Sequence, residues 1–398
     1  MESVFQGVKV LDLGQIYNGP YCGLLLALHG ADVIKLEPPG GERLRFRSAE
    51  MIESHEFMML NSNKKSIVVD LKNGEGREVF RELVANVDVV IENLGPGAMA
   101  KLGLDPLDLV REFPRLIYAS GKGYGSEGPY AHMPAMDITV QAMSGVISTT
   151  GFPDGPPVKA GPAFVDFLGG IHLFGGISAA LYHREKTGKG QFVEVSMHDT
   201  VYPTLASPLG ALYNDPERSL PERTGNLHSG MAICPYNVYR AKDGWLAIIS
   251  VAERHFEEVV AAMGQPELAA DPRFSDRFAR VRHMAELDSL IEEWTGDRGR
   301  AELLQVLGAR GVPCAPVLSI REVADDPHLR ARGMIREVQH PAKGTVRVPA
   351  SPIRFGASPL GEVRAAPALA EDTDRVLRDV LHKSPEERSR LRNKGAVQ

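Results

Sequence analysis

Cysteine is scarce in this chain: Cys22, Cys234 and Cys314 are the only three in 398 residues, and they lie far apart. No C-x-x-C pair and no His/Cys cluster with zinc-ligand spacing occurs, so neither a zinc site nor a dithiol redox motif is signalled. An odd number of thiols argues against a disulfide framework. The expected setting is therefore reduced and cytoplasmic, with no metal. Charge of one sign is lacking too. The net charge is −6, which gives no basic field for nucleic acid or an anionic membrane. Any anionic ligand must be held by local cations. Residues 1–7 carry Glu2 and no basic n-region, and no apolar run reaches the roughly 18 residues of a membrane span. No signal peptide, transmembrane helix or membrane partner is expected. The dinucleotide fingerprint G-x-G-x-x-G and the P-loop G-x-x-x-x-G-K-[ST] are both missing, so no NAD or ATP site is signalled.

What is present is globular. Hydrophobic residues make up 43% and charged residues 24%, and 40 glycines and 28 prolines punctuate the chain. Such a length suggests two domains. Residues 8–13 read as a buried strand, 14–19 as a loop, 21–29 as an apolar helix stopped by Gly30, and 31–37 as a second strand. Strands follow at 66–71, 87–91, 116–120 and 191–196. A helix at 74–86 has Val79, Phe80 and Leu83 on one face. Strands alternating with helices predict a Rossmann-like parallel α/β sheet whose strand C-termini line the ligand crevice. Helices are expected at 138–149, 167–184 and from Met197. A hairpin with an Asp243-Gly244 turn joins 236–240 to 245–251, followed by helices at 253–263, 285–294 and 299–310. Residues 330–357 read as strands and 371–382 as a last helix. The expected organisation is a discontinuous large α/β domain (1–205 and 330–398), a smaller α+β domain (225–325), and linkers near 205–225 and 325–335.

Three constellations carry possible chemistry. The loop GQIYNGP at 14–20 follows a strand and opens a helix, a setting whose free N–H groups favour anions. Arg43, Arg45, Arg47, Lys64, Lys65, Lys72 and Lys101 sit near strand ends, and a phosphorylated ligand needs several such cations. Asp166, in GPAFVDFLGG at 161–170, has two readings: an N-cap for the helix after it, or a desolvated carboxylate beside close-approaching backbone, poised as a nucleophile.

Short segments then fall in a telling order. They are VLDL at 10–13 with Gly19-Pro20, GADVIKLE at 30–37, NKKS at 63–66, DLK at 70–72, ENLGPG at 92–97, Val165-Asp166 with its glycines, and Arg184 with TGKGQ at 187–191. In this order the chain resembles the family III CoA-transferases (CaiB/BaiF type) from about residue 5 to 382. The resemblance implies a CoA-transferase with Asp166 as nucleophile. It implies coenzyme A contacts from Tyr17, Asn18, Val69, Asp70, Leu71, Lys72, Asn93, Leu94, Gly95, Lys101, Met136 and Asp137. Arg45 matches the arginine of a G-D-x-x-R motif in which Glu42 replaces the aspartate, and is expected to bind phosphate or a substrate carboxylate. Arg47 and His228 are further substrate candidates. No tightly bound cofactor is implied, with acyl-CoA as substrate, a small carboxylic acid as second partner, and an interlocked homodimer.

Departures from the pattern shape the substrate expectation. Tyr17 stands where formyl-CoA:oxalate enzymes have glutamine, and the short stretch 223–230 replaces their glycine-rich insertion. Both weaken an oxalate assignment relative to another small carboxylate or dicarboxylate, with succinyl-CoA as a possible donor. Met136 stands where the α-methylacyl-CoA racemase branch has histidine, removing one of the two acid/base partners racemisation needs. The expected route runs through an aspartyl mixed anhydride and an aspartyl-CoA thioester, with backbone near 169–170 or 226–230 as oxyanion donors.

Overall fold

The computed structural model describes residues 2–46, 53–217 and 221–398. Arg47 and residues 218–220 of the expected first linker lie outside the described residues. The chain separates into two compact units. The first comprises Met1–Met143, Pro162–Tyr202 and Pro327–Gln398. The second comprises Ser144–Gly161 and Pro203–Asp326.

The first unit is built on six parallel strands: β1 (Lys9–Asp12), β2 (Asp32–Glu37), β3 (Lys65–Val68), β4 (Val89–Glu92), β5 (Ile117–Lys122) and β6 (Phe192–Ser196). Their order across the sheet is β3-β2-β1-β4-β5-β6. The strands are short, and most of their residues are buried because helices cover both faces. Leu11, Ile34, Val90 and Tyr118 face one core with the helix Gly74–Ala85, and Val10, Val33, Ile91 and Ala119 face another with the first helix, Asn18–Leu28. Val79, Phe80 and Leu83 bury the face the sequence pattern marked.

The long helix Phe164–Thr187 is the crossover between β5 and β6. By length and composition it is apolar enough to cross a membrane, which the sequence reading expected of no segment. Its Leu173, Ile177 and Ala180 are packed in the sheet core, and Arg184 pairs with Asp88 at 2.9 Å. Gly188, at φ 73°, ends it in the left-handed conformation that glycine adopts without penalty. The helix expected over 138–149 is instead two, Asp137–Met143 and Val146–Thr149, because Gly145 takes φ 87° between them.

The C-terminal segment completes the first unit. Asp372 and Thr373 accept hydrogen bonds from the N–H groups of Ser66 and Val68 on β3, and Val397 bridges to Val69. The terminal helix Pro385–Asn393 was not expected, although Ser384 and Glu387 form a capping box that is legible in the sequence.

In the second unit, β7 (Tyr236–Ala241), β8 (Gly244–Ile249) and β9 (Cys314–Pro316) form an antiparallel sheet. Helices Glu253–Ala262, Met284–Gly296 and Arg300–Ala309 bury Phe256, Ile291 and Leu303 against Tyr239, Leu246 and Ile248.

Candidate active site

The strand order reverses between β1 and β4: the chain moves outward one way through β2 and β3, and the other way through β5 and β6. In open α/β sheets the strand ends at such a reversal are where ligands bind, and here the loops leaving β1 and β4 lie there. The two loops are tied together. Asn93 Oδ1 accepts the Gln15 N–H at 2.7 Å, and its Nδ2 donates to the Gln15 carbonyl at 2.9 Å. Asp12 Oδ1 accepts the Gly14 N–H at 2.7 Å, and Lys35 Nζ donates to the Gly14 carbonyl at 2.8 Å. Glu42 accepts the Ile16 N–H at 3.0 Å. Asn93 was expected to touch coenzyme A. Its side chain is instead committed to the first loop.

Asp166 lies in the first turn of the long helix and is 8% exposed. It is not the N-cap. Asp137, from the helix Asp137–Met143, reaches across: its Oδ2 accepts the N–H groups of Val165 (3.0 Å) and Asp166 (3.3 Å), while its Oδ1 takes the Gln141 amide. The capping role is thus filled from outside the helix, and the Asp166 carboxyl is not needed for it. Burial, and secondarily the nearby Asp137 charge, push the Asp166 carboxyl from its ordinary 3.8 up to about 7.

The aromatic and glycine positions around Asp166 explain its surroundings. Phe167 stacks on Tyr17 (centroids 5.8 Å apart) and meets Tyr21 edge-on at 4.8 Å. Asn18 is 1% exposed, and neither its Oδ1 nor its Nδ2 has a hydrogen-bond partner among the described residues. A Cβ at Gly169 would lie 2.2 Å from Asn18 Nδ2, and one at Gly121 would lie 2.4 Å from its Oδ1. Only glycine at these two positions leaves room for the Asn18 amide. Gly169 and Gly170 were expected as oxyanion donors. They lie within the helix Phe164–Thr187, where N–H groups are spent on the helical ladder, and close approach is their structural role.

The other expected positions divide. Lys72 and Lys101 converge on one cavity of about 530 Å³, whose lining also includes Arg77, Arg81 and Gly103. Arg77 and Arg81, which the sequence reading did not single out, lie four apart on the helix Gly74–Ala85, a spacing that puts them on one face. Asp70 Oδ1 accepts the Lys72 N–H at 2.9 Å and so shapes the turn that presents that lysine. Leu71 and Leu94 pack on the core edge, Gly95 has open space where a side chain would be, and Met136 is exposed. Val69 is 1% exposed and its side chain belongs to the core, so any ligand contact is left to its backbone.

Arg45 is a correction. Its guanidinium is fully buried, donates to both Glu37 oxygens (2.9 and 2.6 Å), to Glu53 and to the Pro367 carbonyl (2.9 Å), and lies 3.9 Å from the Phe57 ring centroid. Such a group holds the fold together and is not free to grip a substrate. His228 belongs to the second unit, where its ring meets Tyr236 edge-on at 5.3 Å and burial lowers its pKa. Among the described residues no group of three His, Cys, Asp or Glu side chains is arranged to hold a metal ion.

The model of CoA-transferase family III matches residues 5–373. The chain belongs to CoA-transferase family III. It is 37% identical over 416 residues to a formyl-CoA:oxalate CoA-transferase of Streptomyces avermitilis, covering all of both chains. It is 38% identical over 371 residues to an acetyl-CoA:oxalate CoA-transferase of Acetobacter aceti, covering 92% of this chain and 93% of that one. A crystal structure of a CaiB/BaiF family protein from Brucella suis superposes with a TM-score of 0.84 at 35% identity, over 96% of this chain and all of that one. This family III CoA-transferase therefore carries its six-stranded parallel sheet and smaller antiparallel sheets in common with CaiB/BaiF proteins. Both of these relatives are named for oxalate, the alternative that Tyr17 and the short 223–230 stretch had placed second.

Proposed function

We propose that this enzyme moves coenzyme A from an acyl-CoA to a small carboxylate by way of Asp166. The observation that carries the reading is a buried carboxyl, raised to about 7, in the first turn of a helix packed against the loop that leaves β1. A more basic carboxylate is a better nucleophile, and near neutral pH about half is ionised.

The chemistry balances without metal or ATP. The Asp166 carboxylate attacks the donor thioester carbonyl; the C–S bond breaks and thiolate leaves, forming a mixed anhydride. Thiolate then attacks the aspartyl carbonyl, expelling the donor acid as its carboxylate and leaving an aspartyl-CoA thioester. The acceptor carboxylate attacks that thioester and releases thiolate. Attack of thiolate on the acceptor carbonyl forms the new acyl-CoA and restores Asp166. One thioester replaces another, so the exchange is close to thermoneutral.

Lys72 and Lys101 are exposed in the basic cavity and suit the phosphates of coenzyme A. The binding energy of that remote end positions the thioester for attack. The names of the relatives move oxalate to the head of the acceptor panel and formyl-CoA and acetyl-CoA to the head of the donors, ahead of succinyl-CoA. An interlocked homodimer in a reduced, cytoplasmic setting is part of the same reading. Ile171 and Tyr182, exposed on the long helix, support a protein contact there, and sedimentation and fractionation test it.

The deciding experiment is a mass-spectrometric screen of acyl-CoA donors against carboxylic acids, run with wild type and Asp166→Ala. Wild type turned over with donor is expected to yield a hydroxylamine-sensitive adduct at Asp166. The alanine variant is expected to bind coenzyme A and transfer none. Full transfer by that variant sinks the mechanism.

A further inference from the structure

Ile16 occupies a conformation it should avoid. Its φ is 64°, in the left-handed region that costs a β-branched side chain dearly. It lies in the middle of the first loop, immediately before Tyr17 and Asn18. Something must hold it there, and the hydrogen bonds identify what does. Gly14 is held by Asp12 and Lys35, and Gln15 by Asn93, so both neighbours of the strained residue on its N-terminal side are pinned. At Ile16 itself the N–H donates to Glu42 Oε2.

Glu42 is well placed to act as a fixed post. It is 3% exposed, and its own N–H donates to Glu37 Oε2 at 3.2 Å. Glu37 is in turn locked by Arg45 and Ser66. The turn that brings Glu42 back over the loop uses Gly40 and Gly41, both at positive φ (86° and 83°). The other carboxylate oxygen, Oε1, is buried with no hydrogen-bond partner among the described residues. A carboxylate buried with one oxygen unused is costly, so its single bond to Ile16 has to matter to the position of the loop.

What the loop positions is the ground around Asp166. Tyr17 stacks on Phe167, the residue after Asp166, and the Asn18 amide fills the gap between Gly121 and Gly169. We propose that Glu42 is a positioning residue for acyl-CoA: by holding Ile16 in the left-handed conformation it sets Tyr17 and Asn18 against the helix turn that carries Asp166. This rests on the function proposed above for that turn, but its first readout is coenzyme A binding, which does not require transfer to occur.

The test compares Glu42→Ala, Glu42→Gln, Ile16→Gly and the double variant Glu42→Ala/Ile16→Gly. Coenzyme A affinity is read by calorimetry, and KM and kcat with acetyl-CoA and oxalate. Glu42→Gln keeps an acceptor oxygen and is expected to stay within a few-fold of wild type. Glu42→Ala is expected to bind coenzyme A about tenfold or more weakly, because the unsupported isoleucine leaves the left-handed region most of the time. The double variant is expected to recover much of that loss, because glycine enters the same region freely. Recovery by Ile16→Gly is the decisive outcome, since a merely structural loss at Glu42 would not be mended there. Unchanged affinity in Glu42→Ala, or a loss that the double variant fails to mend, overturns the proposal. If Glu42 behaves as expected but wild type transfers nothing across the panel, the substrate reading fails while the positioning role stands.

Discussion

Replacing Asp166 by asparagine tests the electrostatics of the site without any substrate. Burial holds this carboxyl at about 7 in the folded protein, against 3.8 when solvated. The sign follows from proton counting. Below about pH 3.8 both folded and unfolded chains hold the proton, and the carboxyl adds no pH dependence. Between about pH 3.8 and 7 the folded chain keeps a proton that the unfolded chain has released, so stability falls as pH rises. Above about pH 7 the folded protein bears the full cost of an ionised, buried carboxylate. A difference of that size corresponds to about 4 kcal/mol. Asparagine keeps the shape and cannot ionise. The Asp166→Asn variant should therefore be more stable than wild type by up to about 4 kcal/mol at pH values above about 8, with the gap closing as pH falls towards about 4. Thermal unfolding of both ligand-free proteins across that range measures it. The same carboxyl must be ionised to attack, so wild-type kcat/KM should rise with pH through about 7. A stability gap that does not change with pH would refute the reasoning, because it would mean that Asp166 ionises in the folded protein as it does in water.

Other substitutions separate roles that the sequence leaves merged. Asp137→Asn keeps an acceptor oxygen for the Val165 and Asp166 N–H groups but removes the like charge, so the kcat/KM profile should move to lower pH; Asp137→Ala should also lose about 0.5–2 kcal/mol with the cap, seen in thermal unfolding. Arg45→Ala leaves Glu37 and Glu53 buried without their cation and should destabilise the fold by about 3–5 kcal/mol, read by thermal unfolding. Lys72→Ala and Lys101→Ala should raise KM for acyl-CoA several-fold with little effect on kcat, and the salt sensitivity of KM should fall, as titrations at two ionic strengths would reveal.

Much of the parallel sheet was legible because its signals are local. Runs such as VLDL at 10–13 and VVIE at 89–92 are apolar over strand length and end at glycine, proline or asparagine, so element type follows from composition and spacing alone. The position of Asp166 near a helix start was equally plain, and the order of short motifs along the chain identified the family. Where the reading failed, the deciding partner was distant in sequence. Asp166 resembled an N-cap until Asp137, 29 residues earlier, was found doing that work. Arg45 looked like a ligand-binding cation until Glu37, Glu53 and the Pro367 carbonyl closed around it. Asn93 looked like a ligand contact and is the clasp of a loop 78 residues away.

The sequence by itself determined most of the parallel-sheet elements and the family, because strands and short motifs are written in contiguous residues; the resemblance, not periodicity, singled out Asp166 for the proposed chemistry. Only the tertiary structure decided which charges are free and which are spent. A side chain's protonation and availability depend on burial and on partners brought together by the sheet order. The reversal between β1 and β4 sets the first loop beside Asn93, and the crossover helix sets Phe167 against Tyr17 and Gly169 against Asn18, next to a desolvated Asp166 whose N–H donates to Asp137.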